Sequence, residues 1–198
     1  MKYLVIILIA LFCINYTNAQ ITWTKIESGT KVNLNDVCFP EDLNKGYIVG
    51  NSGKVLKTID GCNIFDSLIV TNINLNNISC PIDFDNIYIS GWTTKLFYSS
   101  NGGIIWNNCN TNGFYNLELF KISFPINTSQ GYSFTTNQFG QTCFYKTVDG
   151  GNTWESKIGN DYIYVNNICF INNNLGFIVG GQGIIKRTTN AAGIWNII

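Results

Sequence analysis

The sequence contains no histidine. That removes the base of Ser-His-Asp and Cys-His nucleophile activation, and with it every histidine metal site. Arginine occurs once, at Arg187. Charged residues make up only 12% of the chain and the formal net charge is zero. A nucleic-acid binder needs a basic face to neutralise phosphates, so that class is excluded. No stretch sustains a 3.6-residue apolar period, which excludes a helical architecture. The cysteine spacings match no zinc pattern, and without histidine a zinc site would need four thiolates. No cofactor and no metal are expected.

What is present is apolar and aromatic. Hydrophobic residues are 45% and aromatic residues 14% of the 198, a globular composition rather than a disordered one. Asparagine recurs from Asn33 to Asn196 and can keep a surface hydrated without charge. Residues 1–19 read as a secretory signal peptide: Lys2 is the positive start, Tyr3 to Ile14 the apolar run, and Thr17-Asn18-Ala19 the small-residue cleavage site. That run is about twelve residues, short of the ~20 that span a bilayer, so no membrane span is expected after cleavage. Phe12 before Cys13 argues against a lipid anchor. The mature chain, 20–198, is then expected in the cell envelope or outside the cell. Export permits disulfides among Cys38, Cys62, Cys80, Cys109, Cys143 and Cys169, the alternative being that several are small buried apolar residues.

The chain is organised around a repeat. Thr147-Val148-Asp149-Gly150-Gly151-Asn152-Thr153-Trp154 places a hydroxyl, an acid, two glycines and an aromatic at fixed offsets, which resembles the Asp-box (BNR) motif. Weaker copies occur at Thr58, Asp60, Gly61 and Phe65; at Ser99, Asn101, Gly102, Gly103 and Trp106; and at Thr188, Asn190 and Trp195. The positions 60, 101, 149 and 190 are 41, 48 and 41 residues apart, a propeller-blade period. Each motif has a structural logic. The glycines allow backbone a Cβ forbids, Asp or Asn accepts nearby N–H groups, and the aromatic covers the turn.

Between the motifs lie short β-branched and aromatic runs, predicting four units of four strands. First strands are expected at 35–39, 76–80, 120–124 and 166–170. Second strands are expected at 46–50, 87–91, 131–135 and 176–180, and third strands at 54–58, 95–99, 142–147 and 184–188. Phe65, Trp106, Trp154 and Trp195 begin the fourth. Unit three carries an insertion, near 126–130 or 137–141. Residues 21–26 alternate and predict one more strand, with Trp23 matching the aromatics that close the motifs. That strand could lie beside the last one and lock the ring. Within the first strands, Val37, Ile78, Ile122 and Ile168 face one way. The intervening Cys38, Ser79, Ser123 and Cys169 are small, as suits an innermost strand. If four units close a ring, Cys38 and Cys169 become neighbours and a disulfide between them is expected. Otherwise the chain is part of a larger ring, or two chains complete each other as a homo-oligomer.

The order Gly46-Tyr47-Ile48-Val49-Gly50, Gly53-Lys54-Val55-Leu56-Lys57-Thr58, Asp60-Gly61, repeated at Gly176 to Gly180 and Gly183 to Thr188, resembles the photosystem II assembly and stability factor type of β-propeller. That family also occurs in exported bacterial proteins without photosynthesis, and its propellers usually have about seven blades. The resemblance implies an all-β propeller of about four four-stranded blades, small or part of a larger one, with motif turns between third and fourth strands. Sialidases share the motif but need three arginines to hold a sugar carboxylate, and Arg187 alone cannot supply them.

A non-catalytic exported scaffold with a protein or glycan partner is therefore expected. Its candidate binding residues lie in the connections between second and third strands: Trp92, Lys95, Phe139, Gln141 and Gln182. For Trp92 and Phe139 the alternative is that they cap the ring. The competing reading is a carbohydrate-binding or glycoside hydrolase-like protein using two carboxylates, drawn from Glu27, Glu41, Asp42, Asp83, Asp85, Glu118, Glu155 and Asp161.

Overall fold

The computed structural model describes residues 23–41, 43–112, 114, 121–136, 139, 141–158 and 165–198. They form four antiparallel sheets of four strands, each a simple meander in chain order. Unit one holds β1 (Leu34–Cys38), β2 (Gly46–Gly50), β3 (Lys54–Thr58) and β4 (Asp66–Ile69). Unit two holds β5 (Leu75–Ser79), β6 (Ile87–Gly91), β7 (Leu96–Ser99) and β8 (Asn107–Asn108). Unit three holds β9 (Lys121–Ser123), β10 (Gly131–Thr136), β11 (Thr142–Thr147) and β12 (Glu155–Ile158). Unit four holds β13 (Val165–Phe170), β14 (Gly176–Gly180), β15 (Ile185–Thr188) and β16 (Asn196–Ile197). The architecture is a four-bladed β-propeller. The unit-three insertion falls at 137–141, where β10 and β11 form a longer six-pair ladder.

The sheets pack face to face through three joints that share a hydrogen-bond pattern. Tyr88 of β6 stacks on Phe124 at 3.6 Å, and Tyr132 of β10 stacks on Phe170 at 3.6 Å. Each tyrosine also donates its hydroxyl to a carbonyl in the next unit's first turn: Tyr47 to Phe84 (2.9 Å), Tyr88 to Thr128 (2.7 Å) and Tyr132 to Asn173. Burial pushes the Tyr47, Tyr88 and Tyr132 hydroxyls up, so they remain protonated donors. The small inner-strand residues complete the joint. Ser79 Oγ accepts from the Phe124 N–H at 3.1 Å, and Ser123 Oγ accepts from the Phe170 N–H at 3.2 Å. Asp36 accepts from the Ile78 N–H and Asn77 from the Ile122 N–H, at 2.9 and 2.8 Å. The expected small position is thus an acceptor as well as a space-saver.

Among the described residues, every strand pair in extended contact across units joins consecutive units, and no such pair joins unit one to unit four. Val37 is 53% exposed, while its equivalents Ile78, Ile122 and Ile168 are 6%, 3% and 6% exposed. Val179, Ile185 and Cys169 on the far face of unit four are exposed. In β14 the tyrosine position is Phe177, which has no hydroxyl to donate.

Two expectations are corrected here. Residues 23–26 form no strand, and Trp23 is 94% exposed; residues 21 and 22 lie outside the described set. Alternation is a local signal, and a strand also needs a partner edge. β16 pairs with β15 alone, so this segment does not lock the ring. The Cys38–Cys169 disulfide is absent as well: both thiols are free. Cys38 lies in the first joint, where it accepts the Cys80 thiol, and Cys169 is exposed. That pairing rested on units one and four being neighbours across a closed ring.

Candidate functional site

The meander sends the turns to two rims. One rim carries the turns between third and fourth strands, and the four share a hydrogen-bond pattern. The Thr58, Ser99, Thr147 and Thr188 hydroxyls donate to Asp60, Asn101, Asp149 and Asn190, at 2.9, 3.0, 2.8 and 3.0 Å. The same hydroxyls accept the N–H four residues on, at Cys62, Gly103, Gly151 and Ala192. The acid or amide then caps a later N–H, at Ile64, Ile105, Thr153 and Ile194. The Thr153 hydroxyl and N–H, with the Thr147 hydroxyl, hold the Asp149 carboxyl down at about 2. Asp60 is lowered chiefly by the Ile64 N–H.

The turns need two successive left-handed residues. Gly102–Gly103 and Gly150–Gly151 supply them freely, whereas Gly61–Cys62 and Ala191–Ala192 hold side chains at φ 70, 58 and 66. Half-buried Phe65, Trp106, Trp154 and Trp195 follow each turn. The Trp106, Trp154 and Trp195 indole nitrogens have no protein acceptor, so these rings act by shape and ring contact. Trp154 meets Phe124 edge-on, and Trp195 meets Phe170 in the same way. This rim is built for folding.

The other rim carries the connections between second and third strands and those from one unit to the next. A cleft of about 290 Å³ opens there, lined by Asn35, Asn51, Asn74, Asn76, Trp92 and Lys121. Its frame is fixed by hydrogen bonds. Asn35 Nδ2 donates to Asn51 Oδ1 at 2.9 Å and to the Leu75 carbonyl at 2.7 Å. The Ser52 N–H donates to Asn74 Oδ1 at 3.0 Å, and the Trp92 N–H to the Asn74 carbonyl at 2.9 Å. Trp92 opens a tight hairpin closed by the Gly91 N–H on the Lys95 carbonyl, with Thr93 and Thr94 both at φ 57. Its ring stays 43% exposed, beside the single charged liner, Lys121.

Of the five expected binding residues, only Trp92 lines this cleft. Lys95 closes the same hairpin with an exposed side chain, and Phe139 is 69% exposed on the longer unit-three connection. Gln141 is half-buried just before β11, and Gln182 is exposed in the left-handed centre of the unit-four turn. Asn51 lies in one of the connections between second and third strands that the sequence singles out, whereas Asn35, Asn74, Asn76 and Lys121 escaped the sequence reading. Their signal was available, because all sit at or just before first strands or in an equivalent inter-strand connection. Asp83 Oδ1 accepts from the Asp85 and Asn86 N–H groups and caps a turn. Asp42, Glu118 and Asp161 lie outside the described residues. No group of three or more Cys, Asp or Glu among the described residues can hold a metal. Two further clefts follow the seams between outer strands, one beside Lys146 and Glu155, the other beside Tyr98 and Asn152.

Repeat period, meander sheets and shared turns are the setting for the family comparison. The profile of the photosynthesis system II assembly factor YCF48 family matches residues 15–114. The chain belongs to the YCF48 family. A solved structure titled "YCF48 bound to D1 peptide" shares the family's fold at TM-score 0.54 and 12% identity, covering 87% of this chain and 84% of that one. The GH74 enzyme of Niastella koreensis aligns at TM-score 0.69 and 18% identity over 83% of this chain, but only 30% of its own. The RRP9 WD40 repeats align at TM-score 0.68 and 9% identity over 86% of this chain and 52% of theirs. At such identities the likeness is one of fold. Comparison with curated protein sequences found no match.

Proposed function

We propose that this chain is an exported, non-catalytic scaffold that holds a polypeptide segment on the rim carrying Trp92. The observation that carries this reading is the cleft in which an exposed indole stands among four carboxamides and one lysine. Carboxamides match the donors and acceptors of a peptide backbone, an indole supplies apolar contact area, and Lys121 suits an acidic group or a chain terminus. The solved family structure with a D1 peptide supports a peptide as the class of partner. Export rests on the leader at 1–19, and a mature N-terminal mass starting at Gln20 is the expected result.

The experiment is affinity capture from the envelope fraction of the source organism. Wild type is compared with Trp92→Ala and Lys121→Ala, each checked for unchanged circular dichroism. Trp92→Ala is expected to weaken capture by about 10- to 30-fold, as loss of an interface anchor does. Equal capture by wild type and both variants refutes the site. The competing reading, a glycan-binding or hydrolase-like protein, draws on Trp92 as a sugar-stacking ring. Turnover of chromogenic glycosides or sialosides would support that reading over a scaffold.

A further inference from the structure

We propose that Cys38 and Cys80 form a redox staple, a dithiol placed to close as a disulfide between the innermost strands of the first two units. Cys38 ends β1 and Cys80 directly follows β5, and these two strands pack against each other. Both sulfurs flank the same apolar cluster of Tyr47, Val49, Ile78 and Ile87. The Cys80 thiol and backbone N–H both donate to the Cys38 sulfur. The two side chains are therefore in contact already.

The other joints sharpen the point. At the same position Ser79 meets the backbone of Phe124, and Ser123 that of Phe170. Among the described residues, only the first joint sets sulfur against sulfur. Phe39, Phe124 and Phe170 each lie over a glycine that opens the second strand, Gly46, Gly131 and Gly176. In unit two the pair is inverted, with small Cys80 facing large, fully buried Ile87. The space that a ring takes elsewhere is filled from the partner strand, and the thiol is kept. The other described cysteines sit on other elements: Cys62 in a corner turn, Cys109 against Gly151, Cys143 inside unit three and Cys169 on an open face.

The oxidant is a low-molecular-weight disulfide. The hydrogen bond from Cys80 lowers the Cys38 thiol and raises that of Cys80, which makes Cys38 the first nucleophile. Cys38 loses its proton and attacks one sulfur of the small disulfide. A mixed disulfide forms, and the released small thiolate takes up that proton. Cys80 then attacks the Cys38 sulfur and releases the second small thiol. Two protein thiols are oxidised and one small disulfide is reduced to two thiols. The closed bridge ties the first unit, uncovered on its other face, to the second.

The test is titration of the purified chain with oxidised glutathione, followed by intact mass, peptide mapping and thermal unfolding. The expected result is loss of two hydrogens, a cross-link between the Cys38 and Cys80 peptides, and a Tm raised by on the order of 10 °C that dithiothreitol reverses. Cys38→Ser and Cys80→Ala, with native circular dichroism, are expected to abolish the cross-link, and Cys62→Ser to leave it. Six titratable thiols in the mature chain, 20–198, after treatment would overturn the proposal. So would a mixed disulfide on Cys38 that never closes, or a bridge between any other pair.

Discussion

The joint between units one and two differs from the two that follow it. At the later joints a tyrosine lies almost parallel on a phenylalanine, at 3.6 Å and 5–6°. At the first joint that phenylalanine is Cys80, and Tyr47 rests on Phe84 at 4.6 Å and 27°. Two features survive the exchange: the hydroxyl bond to a turn carbonyl and the small acceptor on the inner strand. The repeat therefore specifies a polar address, and the apolar filling around it is exchangeable. Lys57 adds a local reinforcement, since its ammonium donates to the Gly102 carbonyl at 2.8 Å and sits over Phe84 at 4.8 Å.

The largest expected effect compares the fillings. Phe124→Ala removes a ring that is 3% exposed and is expected to cost about 3–5 kcal/mol by urea unfolding. Phe84→Ala removes a half-buried ring and is expected to cost about half as much. Equal losses would mean that the two joints are equally packed. The hydroxyl comes next. Tyr47→Phe, Tyr88→Phe and Tyr132→Phe should each cost about 1–2 kcal/mol, because a buried carbonyl loses its donor. Phe177→Tyr, on the open face of unit four, should change stability by less than about 0.5 kcal/mol.

The corner turns give smaller effects. Ala192→Gly relieves a left-handed residue and is expected to stabilise by about 1 kcal/mol, while Gly151→Ala should destabilise by a similar amount. The smallest effect separates turns that hold an acid from those that hold an amide. Asp149 titrates at about 2, below its ordinary 3.8. Its contribution is thus fully present above about pH 3.8 and is lost as the pH falls through about 2. Asp149→Asn should flatten that part of an acid-unfolding curve, because Asn101 and Asn190 fill the same place without titrating.

Much of this frame is legible in the sequence, for physical reasons. Glycines bound β2 and β14, and both strands match their expected ranges, because glycine punctuation coincides with the turn that needs it. First strands shift by a residue, as at Leu34–Cys38, since no such punctuation marks their starts. Fourth strands begin one residue after the expected aromatic, which is spent as a wedge. Tyr47, Tyr88 and Tyr132 read locally as ordinary strand aromatics, and their hydroxyl partners lie 37, 40 and 41 residues away. The cleft around Trp92 was half visible. An exposed indole in a hairpin can be read locally, but its meeting with Lys121 is a product of packing. The missed Cys38–Cys80 contact has the same cause, because the sequence does not say which units become neighbours.

The central claim is that one inner-strand position is a grip in the first three units and stands free in the fourth. Maleimide labelling of the native chain, read by peptide mass, tests it at Cys169. The prediction is that Cys169 reacts at the rate of an unstructured thiol while fully buried Cys143 is protected. Protection of Cys169 equal to that of Cys143 would mean that unit four is covered, and would contradict an open end.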